Sequence, residues 1–244
     1  MRWFFPPIDV SLRTRNRMEK ESMNLMEKAY RLIRNMMLQQ KLGPGQKLIY
    51  RDLSEKLNMS KTPIMYALGR LEQEGFIELV PNSGYFVKEI DLKEIEDLFD
   101  VREALETYAV VLAVERKKVD DLKMLGERIR QHKDYVTPTY DRKKLVLDAE
   151  VHLQIALSSG NKVLAKLLRH IFEHLYLRSR VELMNPTRLS IASLEHQKML
   201  DLIRKGDAAG AEKMMRSHIQ AAKQAMVSCL SKQEEISSFT FQIE

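Results

Sequence analysis

Hydrophobic positions recur at helical spacing over most of the chain. From about residue 22 to residue 40, Leu25, Ala29, Leu32, Ile33, Met36 and Met37 form one apolar stripe, which KLGPG ends. QKLIYRDLSEKLNM reads as a short helix with Leu53 and Leu57 buried. In SKTPIMYALGRLEQEGFIE, residues 60–78, Ile64, Ala67, Leu68 and Leu71 repeat at the same period, and Gly75 suits a C-terminal stop. Ser60 has the side chain for an N-cap. Lys61, Thr62 and Pro63 fall in the first turn, where a proline sacrifices no intrahelical bond. The period then changes. FIELV and YFV are β-leaning runs joined by Pro81-Asn82-Ser83-Gly84, a hairpin signal. Three helices and a hairpin in about 65 residues match the plan of a winged helix-turn-helix. In that plan the third helix enters the major groove and the hairpin touches backbone or minor groove.

Beyond Ile90 the pattern predicts only long helices, at about 92–117, 120–134, 140–158, 162–181, 190–205 and 207–230. TPTY, SSGN, NPT and KGD mark the breaks. The expected fold class is mainly α, a winged helix-turn-helix followed by an all-α helical bundle. Its expected parts are a poorly structured basic arm at 1–20, the DNA-binding domain at 21–90, the bundle at 91–230 and a tail at 231–244.

Composition agrees: aromatics are 7%, there are 14 methionines, and glycines number only nine. The single cysteine, Cys229, excludes an internal disulfide framework and fits a reducing cytosol. The start, MRWFFPPIDV, has a short apolar run broken by two prolines, and RTRNR follows rather than a cleavage site, so no signal peptide is expected. No apolar run reaches the roughly 18 residues of a membrane span. A cytoplasmic protein with no membrane partner is the expectation. The net charge of +6 is uneven: residues 1–90 carry 15 basic against 10 acidic side chains, and the remainder 25 against 24. The basic excess falls on the segment with the helix-turn-helix pattern, as a nucleic-acid surface requires.

Arg51, at the start of the second helix, and Lys61 and Thr62, at the start of the third, can converge on phosphates or base edges. Ser60 can serve either phosphate or cap, and Gly84 lets the wing backbone approach closely. Taken alone, SKTP also fits an ordinary capped surface helix; the hairpin, the preceding helix and the basicity favour the DNA reading.

In the bundle, Asp148 and His152 are i and i+4, on one helix face. His196 and His218 are 22 residues apart, about 33 Å along a continuous helix. Gly206-Asp207 lies almost midway, so a hairpin folded there brings the two imidazoles level. One Asp and three His suit a divalent transition metal with open positions. Each His singly also fits a surface or hydrogen-bonded role. His170 and His174 are i, i+4 too, but Leu164, Leu167, Leu168, Ile171, Phe172 and Leu175 define that helix's buried face, with His174 at its flank and His170 outside it. Arg102 falls inside the apolar stripe Ile95, Leu98, Leu105, Ala109 and Leu112, where a guanidinium needs an anion. That anion is either an internal carboxylate, such as Glu106, or an effector carboxylate beside the metal.

The run PGQKLIYRDLSEKLNMSKTPIMYALGRLEQEGFIELVPNSGYFV resembles the N-terminal domain of GntR-type bacterial transcription regulators. Their pattern runs PG-x-x-L, x-x-L-A-x-x-L, S-R-T-P-V-R-E-A-L, L-x-x-E-G and G-x-F-V. Met65 and Tyr66 stand where the family usually has Arg and Glu, and Lys61 replaces the usual Arg. The resemblance therefore implies DNA binding with a different operator sequence. VREALE at 101–106, DAEVHLQIALSSGN at 148–161, and PTRLSIASLEHQKMLDLIRKGDAAGAEKMMRSHI at 186–219 resemble the FCD (FadR-like) ligand-binding domain. In its metal-containing members an Asp-x-x-x-His pair and two later His hold the ion. That implies Asp148, His152, His196 and His218 as ligands of zinc, nickel or manganese, and Arg102 as partner of a small organic acid.

The resulting expectation is a homodimeric, ligand-responsive regulator of double-stranded operator DNA and not an enzyme. The alternatives are a repressor that senses the metal itself, and a metalloenzyme joined to a DNA-binding domain. No general acid/base or nucleophile beside the four residues favours the latter.

Overall fold

A computed structural model describes residues 10–137, 141–180 and 187–240. The chain divides into two compact units at Lys88 and Glu89. The first holds α1 (Val10–Leu38), α2 (Tyr50–Leu57) and α3 (Lys61–Gln73), with strands β1 (Lys47–Leu48), β2 (Ile77–Val80) and β3 (Gly84–Val87). Ala29, Ile33 and Met37 of α1 are fully buried, as are Ile64, Ala67, Leu68 and Leu71 of α3, and the two helices pack together. Burying each of the Ile, Leu and Met side chains contributes roughly 1.5–3 kcal/mol. α2 ends at Asn58, which adopts a left-handed conformation (φ 50°). α3 ends ahead of Gly75 (φ 77°), where the Phe76 amide returns to the Leu71 carbonyl at 2.9 Å. The chain turns there into an antiparallel sheet of order β1-β3-β2. Ile77 faces Val87 across the hairpin, and Lys47 faces Phe86 on the other edge of β3.

The first unit departs from expectation in three places. Residues 10–20, expected within a poorly structured arm, continue α1; VSLRTRNRMEKES contains neither glycine nor proline to interrupt a helix. Residues 1–9 lie outside the described residues. Ser60 occupies the N-cap position of α3, but its side chain makes no capping hydrogen bond. β1 was not anticipated, because two residues carry no readable alternation.

The second unit is helical: α4 (Leu92–Arg116), α5 (Val119–Asp134), α6 (Arg142–Ser158), α7 (Lys162–Arg178), α8 (Thr187–Lys205) and α9 (Ala208–Thr240). Side-chain caps fix three helix starts: Asp91 accepts from the Glu94 amide at 2.7 Å, Asp141 from Lys144 at 2.8 Å, and Asn161 from Leu164 at 3.1 Å. α4 packs on α9, α5 on α6 and α8, α6 on α4 and α7, and α8 on α9. α9 runs ten residues past the expected end at 230, so 231–240 of the expected tail are helical. Residues 241–244 lie outside the described residues. Gly206 (φ 81°) makes the turn between α8 and α9 that the hairpin argument required. Among the described residues, no helix is long and apolar enough to cross a membrane.

Candidate metal centre and nucleic-acid interface

α6 presents Asp148 and His152 one turn apart, α8 presents His196, and α9 presents His218. The four offer ligand atoms that all lie within 4.8 Å of one another. His152 Nε2 is 3.1 Å from His218 Nε2 and 3.4 Å from His196 Nε2. The Asp148 carboxylate lies 3.5 Å from His196 Nε2 and 3.7 Å from His152 Nε2. The three imidazoles are buried, and Asp148 is 16% exposed.

Two carboxylates behind the ligands set the proton positions. Glu106 of α4 accepts from His152 Nδ1, and Glu195 of α8 accepts from His218 Nδ1 at 2.7 Å. With Nδ1 protonated, each Nε2 presents a lone pair. Two lone pairs facing each other at 3.1 Å beside a carboxylate repel, and a cation between them removes the conflict. Burial pushes the Asp148 carboxyl up, but the surrounding His152, His196, His132 and His218 outweigh it and hold it well below the usual range. Burial pushes His196 and His218 down, keeping both neutral and able to ligate. The residues fit a divalent transition metal.

Arg102 is almost wholly buried on α4 and donates from Nε to Glu106 at 2.8 Å. Of the two anions its position called for, the internal carboxylate is thus present. Its guanidinium carbon lies 4.4 Å from the Phe172 ring centre and 4.7 Å from that of Phe99. Burial pushes Glu106 up, yet His152 and Arg102 together hold it down at about 2. A cavity of about 30 Å³ opens beside the cluster, walled in part by Arg102, Asp148, Phe172, Arg188 and His218. Arg188 donates to Glu195 at 2.7 Å and to the His218 carbonyl at 3.1 Å. Its Nε is buried without a hydrogen-bond partner among the described residues.

Sequence reasoning missed Glu106 as partner of His152, along with Glu195, Arg188 and a fourth imidazole, His132 of α5. Leu125, Ile129 and His132 are buried at i, i+4 and i+7, a stripe that could have marked the last. His170 is exposed, as expected, and shares a 3.1 Å contact with the buried His174.

In the first unit Arg51, Ser60, Lys61 and Thr62 are all exposed at the starts of α2 and α3. Lys61 Nζ sits 4.8 Å from the Tyr50 ring centre, and Arg51 Nε lies 4.0 Å from the Asp52 carboxylate. The Ser60 hydroxyl, unused as a cap, is open to a phosphate. Gly84 opens β3 at φ 102°, a backbone conformation that disfavours any side chain. Met65 is partly buried and Tyr66 exposed on the following turn.

A three-helix winged unit and a helical bundle with a buried polar cluster, carried on one chain, define a class of DNA-binding transcription regulator. Residues 25–87 match the model of the bacterial regulatory proteins of the gntR family, and residues 97–221 match the FCD domain. The chain belongs to this family of transcription regulators, whose members act on operator DNA rather than as enzymes. It is 30% identical to the Nta operon transcriptional regulator of Aminobacter aminovorans over 177 residues, 72% of this chain and 82% of that one. It is 26% identical to the HTH-type transcriptional repressor GlaR of Escherichia coli, covering 78% and 90% of the two chains. Among solved structures, E. coli McbR/YncC aligns with a TM-score of 0.71 at 23% identity, over 86% of this chain and 98% of that one, a likeness of fold.

Proposed function

We propose that the chain is a homodimeric transcription regulator whose bundle holds one divalent metal ion on Asp148, His152, His196 and His218. A small carboxylate effector would bind beside that ion. The observation that carries the reading is the convergence of three Nε2 atoms on a carboxylate, with Glu106 and Glu195 against the opposite ring nitrogens of His152 and His218. Zinc, nickel and manganese fit this donor set, whereas its nitrogen content disfavours magnesium and calcium. The ion supplies a Lewis-acidic position for one oxygen donor. Arg188, which lines the same cavity, has a buried N–H without a partner among the described residues, and Arg102 adds a second guanidinium to the wall. Both favour an anion, and the cavity's size favours a small one.

In the winged unit, Arg51, Ser60, Lys61 and Thr62 would meet phosphates or base edges, with the Gly84 turn against the backbone. Effector binding would bias the DNA-binding geometry of the dimer through its differential affinity for two states. The alternative is that the ion alone is the signal. Titrating operator binding with metal, and then with small organic acids at saturating metal, separates the two. A response to metal and none to any acid supports the alternative. Elemental analysis of protein purified without a histidine tag tests the ion itself, and content near zero with no uptake of added zinc or nickel sinks the site. Sedimentation of the intact chain at micromolar concentration tests the dimer.

A further inference from the structure

His132 belongs to no part of the four-residue centre, yet it packs into it. Its side chain is 0% exposed, and its Nε2 is buried with no hydrogen-bond partner. Nδ1 lies 3.2 Å from the Ser193 hydroxyl of α8, which leaves Nε2 as the ring's unsatisfied atom. That atom is 3.7 Å from Asp148 Oδ1, the oxygen that also faces His196 Nε2 at 3.5 Å. The His132 and His196 ring centres are 5.0 Å apart, within the 4.8–5.2 Å spacing of the other three imidazole pairs. Ligands held by bonds of about 2.1 Å stand roughly 3.0 Å apart when cis and roughly 4.2 Å when trans. The His132–Asp148 separation falls inside that range. A buried polar atom left unpaired is costly, and no described side chain relieves this one.

We propose that His132 is a fifth ligand of the metal, bound through Nε2 and oriented by Ser193. The proposal rests on the four-residue metal reading and deepens it. The four tightly grouped ligand atoms do not include His132, so ligation asks for a small rotation of its ring toward Asp148. Lys144, itself buried, donates to the His132 carbonyl and, at 3.1 Å, to that of Tyr135, which fixes the end of α5 that carries the ring. His132 does not line the cavity that Asp148 and His218 share with the two arginines. It would therefore occupy a coordination position without blocking that cavity. An octahedral ion would keep one open position there, enough for water or one carboxylate oxygen but not for a bidentate chelate. Four imidazoles and one carboxylate also favour nickel or zinc over manganese.

The test loads the full-length protein with cobalt(II) or nickel(II) and counts imidazole ligands by X-ray absorption, alongside competitive titration against a chelator. Four imidazoles in the wild type and three in His132→Gln, with affinity at least tenfold lower, are expected. His132→Gly should recover affinity and the wild-type cobalt spectrum on addition of free imidazole. The wild-type count needs no variant, so a misfolded substitution does not decide the matter. Three imidazoles in the wild type, or a His132→Gln protein with lowered affinity but an unchanged cobalt spectrum, overturns the fifth ligand and leaves the four-residue centre standing. Wild-type protein that takes up no ion overturns both.

Discussion

Glu106 is the side chain through which the proposed metal centre is most directly tested. It lies 1% exposed on α4, accepting from His152 Nδ1 and from Arg102 Nε at 2.8 Å. Glu106→Gln keeps the volume and one acceptor oxygen, but it removes the charge that polarises His152 and neutralises Arg102. Removing such a partner behind a metal-binding histidine typically weakens metal affinity about 10–100-fold, or about 1.4–2.7 kcal/mol. An ion present at about one hundred times its Kd stabilises the fold by about 2.7 kcal/mol, and after a tenfold loss by about 1.4 kcal/mol. For a unit of this size the metal-induced rise in Tm should shrink by about 3–5 °C. The metal-free variant is also destabilised, because Arg102 keeps a buried charge without its anion. The informative quantity is therefore the rise on adding metal, not the absolute Tm, and Glu106→Gln/Arg102→Gln removes the stranded cation. Chelator competition gives the affinity and calorimetry the shift. A Kd within twofold of wild type, with an undiminished rise, would refute the role of Glu106 and the proton arrangement argued from it.

Arg51→Ala and Lys61→Ala should each weaken operator binding and flatten its salt dependence, by about one unit of slope per lost phosphate contact; fluorescence anisotropy at several salt concentrations decides, and unchanged affinity in both removes the assignment. Arg188→Lys should keep a charge near Glu195 but lose the planar fork that matches a carboxylate. Metal content should persist while the effect of small acids on operator binding falls, and an undiminished effect counts against the clamp. Tyr30 donates to Glu74, and burial first, then that bond, pushes its phenol up to about 12. A pKa raised above the unfolded value stabilises fully below about pH 10 and is lost as pH rises through the folded value. Wild-type unfolding midpoints should therefore fall more steeply between about pH 10 and 12 than those of Tyr30→Phe, and parallel curves would discount the Tyr30–Glu74 bond.

Features governed by local chain geometry were legible from the residues. Asp148 and His152 share a face because 3.6 residues make a turn, and His196 meets His218 because Gly206 supplies a left-handed turn midway between them. The hairpin declared itself through Asn82, which takes φ 61°, and Gly84. What escaped notice depends on which helices become neighbours. Glu106 reaches His152 across 46 residues of sequence, and Arg188 reaches His218 across 30. His132 joins Asp148 because α5 packs on α6, which periodicity does not state. Arg102 was marked as a buried cation needing an anion, but a face pattern does not choose between an internal partner and a ligand. The ends of α1 and α9 were placed short because apolar periodicity fades there, although no residue type stops the helix.

The two arginines in the cavity wall bear on rigidity as well as charge. Arg102 is held by Glu106 and Arg188 by Glu195, so both guanidinium groups are balanced and fixed in place before any ligand arrives. An anion meeting them would lose little free energy to the ordering of side chains, and its selection would rest on shape more than on net charge.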